Sequence, residues 1–275
     1  MACPSNDTYV LQVGEKGKER LTILNELFQS SSCSLLLEAG LSPGKKILEV
    51  GCGTGCMTNW MAEKIGPKGQ IYAVDISAAQ LDIARESAKK QKLENITFIE
   101  NSIFDLKDLP QFDLIYSKFT LMHLSEPYKA LEMMLRFLKP GGYIVCEEAS
   151  NAITYCYPPS STFQKSRQLL LSLAEKKKLD FNLGEKLYDY FRKLALENIS
   201  VNFIQPIFKT PHQKKLILLL VEELKENYKY YDLASEQEIA HLLKSLSDFI
   251  EDDSYLVSFA RTTQIYAKRP EAIVK

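Results

Sequence analysis

Residues 46–55, KILEVGCGTG, run a short apolar stretch straight into three glycines spaced two apart, Gly51, Gly53 and Gly55. Glycine takes dihedrals closed to other residues and lets a ligand lie against bare backbone, while the amides that open a following helix are free to bond it. In an α/β sheet such a strand-to-helix turn is where a cofactor is recognised. A dinucleotide fingerprint needs a glycine at 56, where this chain has Cys56, and a P-loop needs Gly-Lys-Ser or Gly-Lys-Thr, which is absent. Asp75 closes the next apolar stretch, QIYAVD, about twenty residues on, where an acidic side chain can accept both hydroxyls of a ribose. The pattern points to a nucleoside without a pyrophosphate.

The elements that must hold these residues alternate along the chain. Helical spacing over 18–40 predicts N-terminal helices, ended by a turn at Ser42-Pro43-Gly44. Strands follow at 46–50, 70–75, 96–100, 112–117 and 143–149, with helices over about 55–65, over SAAQLDIARESAKKQK and over 126–138 between them. This order predicts a doubly wound, mostly parallel sheet, its apolar strands buried on both faces and bounded by turns at GPKG (66–69) and KPGG (139–142). Two longer strands are expected at 201–209 and 255–268, the second returning antiparallel to close the sheet edge, with 211–252 as a helical insertion.

Composition bounds the partners. The 275 residues suffice for one large α/β domain or two small ones, and 34 Lys and Arg against 35 Asp and Glu give no overall field for nucleic acid or an anionic membrane. The apolar run LILLLV at 216–221 is far shorter than the roughly 20 residues that span a bilayer. The opening MACPSNDTYV does not read as a signal peptide, so a cytoplasmic location is expected. Six cysteines show no C-x-x-C pair and only three histidines are present, so no metal site is expected.

Taken together, LEVGCGTG, AVDIS, FDLIYS and LKPGGYIV at these spacings resemble the motifs of class I S-adenosylmethionine-dependent methyltransferases across residues 40–150. Within that superfamily the chain is most similar to small-molecule enzymes of the ubiquinone/menaquinone-biosynthesis type, with YVLQVGEKGKERL and SKFTLMHL matching motifs of one subgroup. The resemblance implies a Rossmann-like sheet of seven strands with helical caps, and S-adenosyl-L-methionine as cofactor. It implies that Glu49, Gly51, Cys52, Gly53 and Gly55 surround the methionine part, that Asp75 holds the ribose and that Ile76 packs on the adenine. Many relatives bond the adenine amino group with an aspartate where this chain has Ser102; Asn101 or the backbone at Ile103 are the replacements at hand. Ser117 and Lys118 are expected to face the amino acid end through backbone carbonyls, and Tyr9 to sit on an N-terminal lid.

Methyl transfer from a sulfonium is an in-line displacement, so alignment and exclusion of water are the main tasks, and a base is needed only if the acceptor must lose a proton. The candidates are His123, which could equally cap or pack; Glu147 and Glu148, which could orient an acceptor or simply face water; and Tyr155 and Tyr157, which could line an aromatic pocket or pack a loop. Cys52 and Cys56 read as small side chains packed behind the turn, and Lys176-Lys177-Lys178 as a solvated helix face. The expectation is a single domain over 1–275, with 1–40 as a helical lid, acting on a small and possibly apolar or aromatic acceptor. Two other readings stand beside it. An RNA methyltransferase is disfavoured by Ser117-Lys118-Phe119-Thr120 in place of Asn or Asp followed by Pro-Pro and an aromatic, and a non-catalytic scaffold keeping the nucleoside pocket would carry the same glycines.

Overall fold

The structure, a computed structural model, describes residues 11, 13 and 15–271. In chain order its elements are α1 (Glu15–Glu38), β1 (Lys46–Val50), α2 (Cys56–Ile65), β2 (Gln70–Asp75), α3 (Ala78–Lys90), β3 (Ile96–Glu100), β4 (Phe112–Lys118), α4 (Pro127–Arg136) and β5 (Leu138–Ser150). Then come β6 (Cys156–Tyr157), α5 (Ser161–Lys176), α6 (Leu187–Lys193), β7 (Glu197–Ile204), β8 (Ile207–Phe208), α7 (Pro211–Tyr230), α8 (Glu236–Glu251), β9 (Leu256–Ser258) and β10 (Arg261–Lys268). Single 3₁₀ turns occupy Leu121–His123 and Leu183–Glu185.

Seven strands form one sheet in the order β3-β2-β1-β4-β5-β10-β7, the first five parallel and β10 antiparallel to both neighbours. The order reverses between β1 and β4, which opens a crevice at their carboxyl ends. Successive strand residues serve opposite layers, as a sheet covered on both faces requires. Ile47, Ala73, Leu114, Tyr116 and Val145 pack with Leu36 of α1 and Met61 of α2, whereas Leu48, Val74, Ile115 and Cys146 pack with α4, α5, α7 and α8.

Several expectations change. The N-terminal helical region is one helix, α1. The runs 201–209 and 255–268 are each broken, and they pair with one another along their length: β7 with β10 in the large sheet, β8 with β9 in a three-stranded sheet that β6 completes. The corner falls at Pro206, which has no N–H for the ladder, and Phe259 N–H donates to its carbonyl. Gln205 Nε2 fills the bend, donating to Ile153 O, Ser258 Oγ and Phe259 O. The sheet edge is β7, with β10 inserted between it and β5. The KPGG segment bulges from the start of β5, between the pairs Phe112↔Leu138 and Leu114↔Tyr143. Lys177 is buried beside two exposed lysines, so that run is not a uniform solvated face.

The region 211–252 folds as α7 and α8, the latter opened by a capping box in which Ser235 and Glu238 each bond the other's backbone amide. Ion pairs tie α1 to α7, Glu19 with Lys215 at 2.6 Å and the buried pair Arg20–Glu223 at 2.9 Å, and Glu26 lies 3.3 Å from His212 Nε2. These two helices thereby roof the crevice. Among the described residues no helix is long and apolar enough to cross a membrane.

Candidate active site

A cavity of about 630 Å³ fills the crevice. One end is made by the strand ends β1 to β3, with Glu49, Gly51, Gly53, Asp75, Ile76 and Asn101 on its wall. The other lies under the helical roof, walled by Leu24 of α1, Leu170 of α5, Leu216 and Leu220 of α7, and the rings of Phe119, Phe181 and Phe259.

The three glycines answer three different demands. A Cβ on Gly51, at φ +77°, would fall 2.0 Å from Thr120 Oγ1, so the residue lets β1 and the end of β4 close up at the switch point. A Cβ on Gly55, at φ +79°, would fall 2.9 Å from Ala84 Cβ, so that glycine seats α3 against the turn and is not on the cavity wall. Gly53, at φ +54°, has nothing within 4 Å of where a Cβ would stand. Of Gly51 and Gly53, both on the cavity wall, it is the one that leaves open space beside its backbone. Asp75 organises this end, its carboxylate accepting from Gly53 N–H at 2.8 Å and Ser77 N–H at 2.9 Å. A carboxylate has about four lone-pair sites, so capacity remains for hydroxyl donors. Burial raises the Asp75 pKa above the ordinary aspartate value, against the pull of the Ser77, Gly53 and Ile76 amides.

This geometry agrees with a match over residues 41–193 to the family described as "Methyltransferase domain". The chain belongs to the S-adenosylmethionine-dependent methyltransferase family. It is 34% identical over 135 residues to an uncharacterized methyltransferase of Schizosaccharomyces pombe, covering 46% of this chain and 48% of that protein. It is 30% identical over 173 residues to the demethylmenaquinone methyltransferase of Anoxybacillus flavithermus, covering 58% and 72% respectively. The chain spans about half the length of most of the curated relatives it matches. The crystal structure of a SAM-dependent methyltransferase from Aquifex aeolicus shares the fold, with a TM-score of 0.53 at 19% identity over 93% of this chain and 98% of that one.

The methyltransferase cavity suits the family's cofactor in its donor set, with a bare Gly53 backbone, the Asp75 carboxylate and the half-exposed apolar Ile76 beside it. Cys52, Ser102, Ile103 and Lys118 also line it. Asn101 Oδ1 accepts from Ser102 N–H at 2.8 Å, and Ser102 Oγ accepts from Phe104 N–H, so both side chains help to shape the loop after β3. Cys56 is exposed on the wall and not packed behind the turn. Tyr9 lies outside the described residues.

Other candidates stand elsewhere. Ser117 is fully buried within β4 and off the cavity wall, because side chains alternate and Lys118 takes the outward place. Glu148 is fully buried; its carboxylate accepts the amides of Thr120, Leu121 and Met122 and so fixes the turn after β4. Burial pushes its carboxyl up to about 8 against those three amides. Glu147 is fully buried as well, accepting from Tyr116 Oη and Gln264 Nε2, so neither glutamate faces water or an acceptor. Tyr155 and Tyr157 are exposed around the small sheet and do not line the cavity. His123 does line it, edge-on to Phe181 at 5.2 Å, and burial with Arg20 nearby holds its imidazole down at about 3. It is a neutral wall group at physiological pH.

Sequence reasoning missed Phe181, Phe259 and Gln80, and gave Arg20, within the stretch YVLQVGEKGKERL, no role of its own. Phe181 and Phe259 are separated from the motifs by long stretches of chain and converge on the cavity only in the fold. Gln80, in the first turn of α3, is buried on the cavity wall with an Oε1 that has no hydrogen-bond partner among the described residues. A polar residue at an inward helical position five places after Asp75 was the one signal available.

Glu49 provides a testable charge. Its Oε2 accepts from Thr58 Oγ1 at 2.5 Å, and burial pushes the carboxyl up to about 8, so at pH 7 it is mostly protonated. A ligand ammonium beside it favours the ionised form and lowers that pKa. Binding of S-adenosylhomocysteine at pH 7 is therefore expected to release protons, and affinity to rise with pH toward 8. Calorimetry in buffers of different ionisation enthalpy checks this, with Glu49→Gln abolishing the release.

Proposed function

We propose that this chain transfers the methyl group of S-adenosylmethionine to a small, largely apolar or aromatic acceptor. The observation that supports it is the continuity of one cavity, from Gly53 and Asp75 at one end to Leu24, Leu170, Leu220, Phe119, Phe181 and Phe259 at the other. Concave sites walled by apolar and aromatic side chains with few polar groups take ligands of the same character. The cofactor supplies the electrophilic methyl group; this chain's residues align the partners and keep water out. Gly53, Asp75, Ile76, Asn101 and Ser102 hold the nucleoside in this reading, and the α1 and α7 roof closes over the acceptor. His123, neutral in its buried position, supplies a hydrogen-bonding point among the rings. The demethylmenaquinone methyltransferase relatives suggest an aromatic ring as the acceptor's core.

Incubation with methyl-labelled S-adenosylmethionine and a panel of hydroxylated naphthalenes, phenols and bulk RNA tests this. Label is expected in the small aromatic acceptors. Label in RNA alone would overturn the reading. Within the chamber, Leu220→Trp is expected to lower kcat/KM for such an acceptor at least tenfold while S-adenosylhomocysteine affinity stays within about twofold, because added bulk in a packed wall costs about 1–3 kcal/mol. Steady-state kinetics beside a binding titration separates the two effects.

A further inference from the structure

Among the described residues the cavity wall carries the charged side chains Arg20, Glu49, Asp75 and Lys118. Arg20 Nε is bonded to both carboxylate oxygens of Glu223, and Asp75 is held by amides at the nucleoside end. That leaves Glu49 on β1, a carboxyl that a ligand ammonium would ionise, and the cationic Lys118 at the end of β4, on neighbouring strands.

The Lys118 ammonium is in an unusual setting. It donates to Ser32 Oγ at 2.9 Å, its one hydrogen-bond partner among the described residues, and lies over the rings of Phe28 and Phe119 at 5.1 and 5.6 Å. It makes no ion pair among the described residues: Glu147, its register partner on β5, is committed to Tyr116 and Gln264. An ammonium has three donors, and a cation removed from water is costly unless paired. Burial pulls this lysine below its ordinary range, while Glu147, Cys33, Cys56 and Glu49 act to restore it. The backbone carbonyl of Lys118 accepts from Thr120 Oγ1 at 3.0 Å.

Building on the reading of this cavity as the cofactor site, we infer that the Lys118 ammonium receives the α-carboxylate of the cofactor's amino acid, opposite Glu49, and makes the site select nucleosides that carry an amino acid. Ser32 and the two rings hold the cation in place before the ligand arrives. The carboxylate then supplies the oxygens that the protein does not. A nucleoside thioether lacking that group leaves the cation unmatched and is rejected, since a site built to bond a group discriminates against the analogue without it.

The test compares S-adenosylhomocysteine with 5′-methylthioadenosine, which shares its nucleoside and sulfur but lacks the amino acid. Calorimetric titrations of the wild type, Lys118→Met and Lys118→Arg give both affinities for each protein. Lys118→Met is expected to weaken S-adenosylhomocysteine about tenfold to a hundredfold and to leave 5′-methylthioadenosine within about twofold, a buried charge-assisted bond being lost in the first case alone. Lys118→Arg is expected to keep most of the preference. The ratio of the two affinities does not depend on the fraction of folded protein. Equal weakening of both ligands, or none of either, would overturn the assignment of Lys118. Failure of the wild type to bind S-adenosylhomocysteine while binding 5′-methylthioadenosine would also overturn it, and failure to bind either would instead remove the cofactor reading on which it rests.

Discussion

Gly51→Ala is expected to lower stability by about 2–5 kcal/mol and to remove detectable cofactor binding. The added methyl carbon meets Thr120 at Oγ1, Cγ2 and Cβ, at 2.0, 2.6 and 2.8 Å. Turning the threonine side chain relieves the first two contacts but not the third, because Cβ does not move with χ1. The backbone at φ +77° adds about 1–2 kcal/mol for any residue with a side chain, and overpacking adds about 1–3 kcal/mol. Spreading β1 from the end of β4 also disturbs the bond from Thr120 Oγ1 to Val50 O, and with it the floor of the cavity. Denaturant unfolding and S-adenosylhomocysteine titration measure both effects, and Thr120→Ala in the same chain should recover part of the stability. A Gly51→Ala protein as stable as the wild type would contradict the close approach of these strands.

Asp75→Ala is expected to weaken S-adenosylhomocysteine about a hundredfold or more with a smaller loss of stability. In this account its carboxylate accepts ribose hydroxyls, and hydrogen bonds to charged groups contribute about 1.5–3 kcal/mol each. The same carboxylate fixes Gly53 and Ser77, so its loss also frees the turn that presents bare backbone to the ligand. Asp75→Asn should be intermediate, since an amide keeps one acceptor oxygen but offers an N–H toward backbone donors. Affinity within about twofold of wild type in Asp75→Ala would remove the carboxylate from the nucleoside site.

The central sheet was legible because its signals are local. The runs at 46–50, 70–75 and 96–100 are observed with those bounds. The first two are inner parallel strands, which show themselves as apolar runs bounded by turns, whereas 96–100 is an edge strand with no buried residue, contrary to the expectation of burial on both faces. The C-terminal strands were found, but their bend was not. Nothing local distinguishes one long strand from two that turn a corner together, and Pro206 is decisive only once Phe259 is known to lie opposite it.

The motif brought Gly51, Gly53 and Asp75 to one end of the cavity, yet the different settings of its parts were not legible. Gly51, Gly53 and Gly55 look alike in sequence, and only the positions of Thr120 and Ala84 show that two of the three are glycine to let neighbouring elements close up, while the third has open space beside it. Glu147 and Glu148 are acidic residues at a strand end, which suggests exposure; both are fully buried instead, Glu147 bonded to Tyr116 and Gln264 and Glu148 to the amides of the turn after β4. The apolar end of the cavity is assembled from α1, α5, α7 and Phe259, far apart in the chain, and no spacing rule brings them together.

The central claim is that the cavity at the glycine turn takes an adenosyl amino acid and not a dinucleotide. Calorimetric titration of the protein with S-adenosylmethionine, S-adenosylhomocysteine and NAD tests it most directly. The account predicts binding of the first two at one site, with affinities near the micromolar range, and no heat from NAD. Binding of NAD in preference to S-adenosylhomocysteine, or of neither, would contradict it.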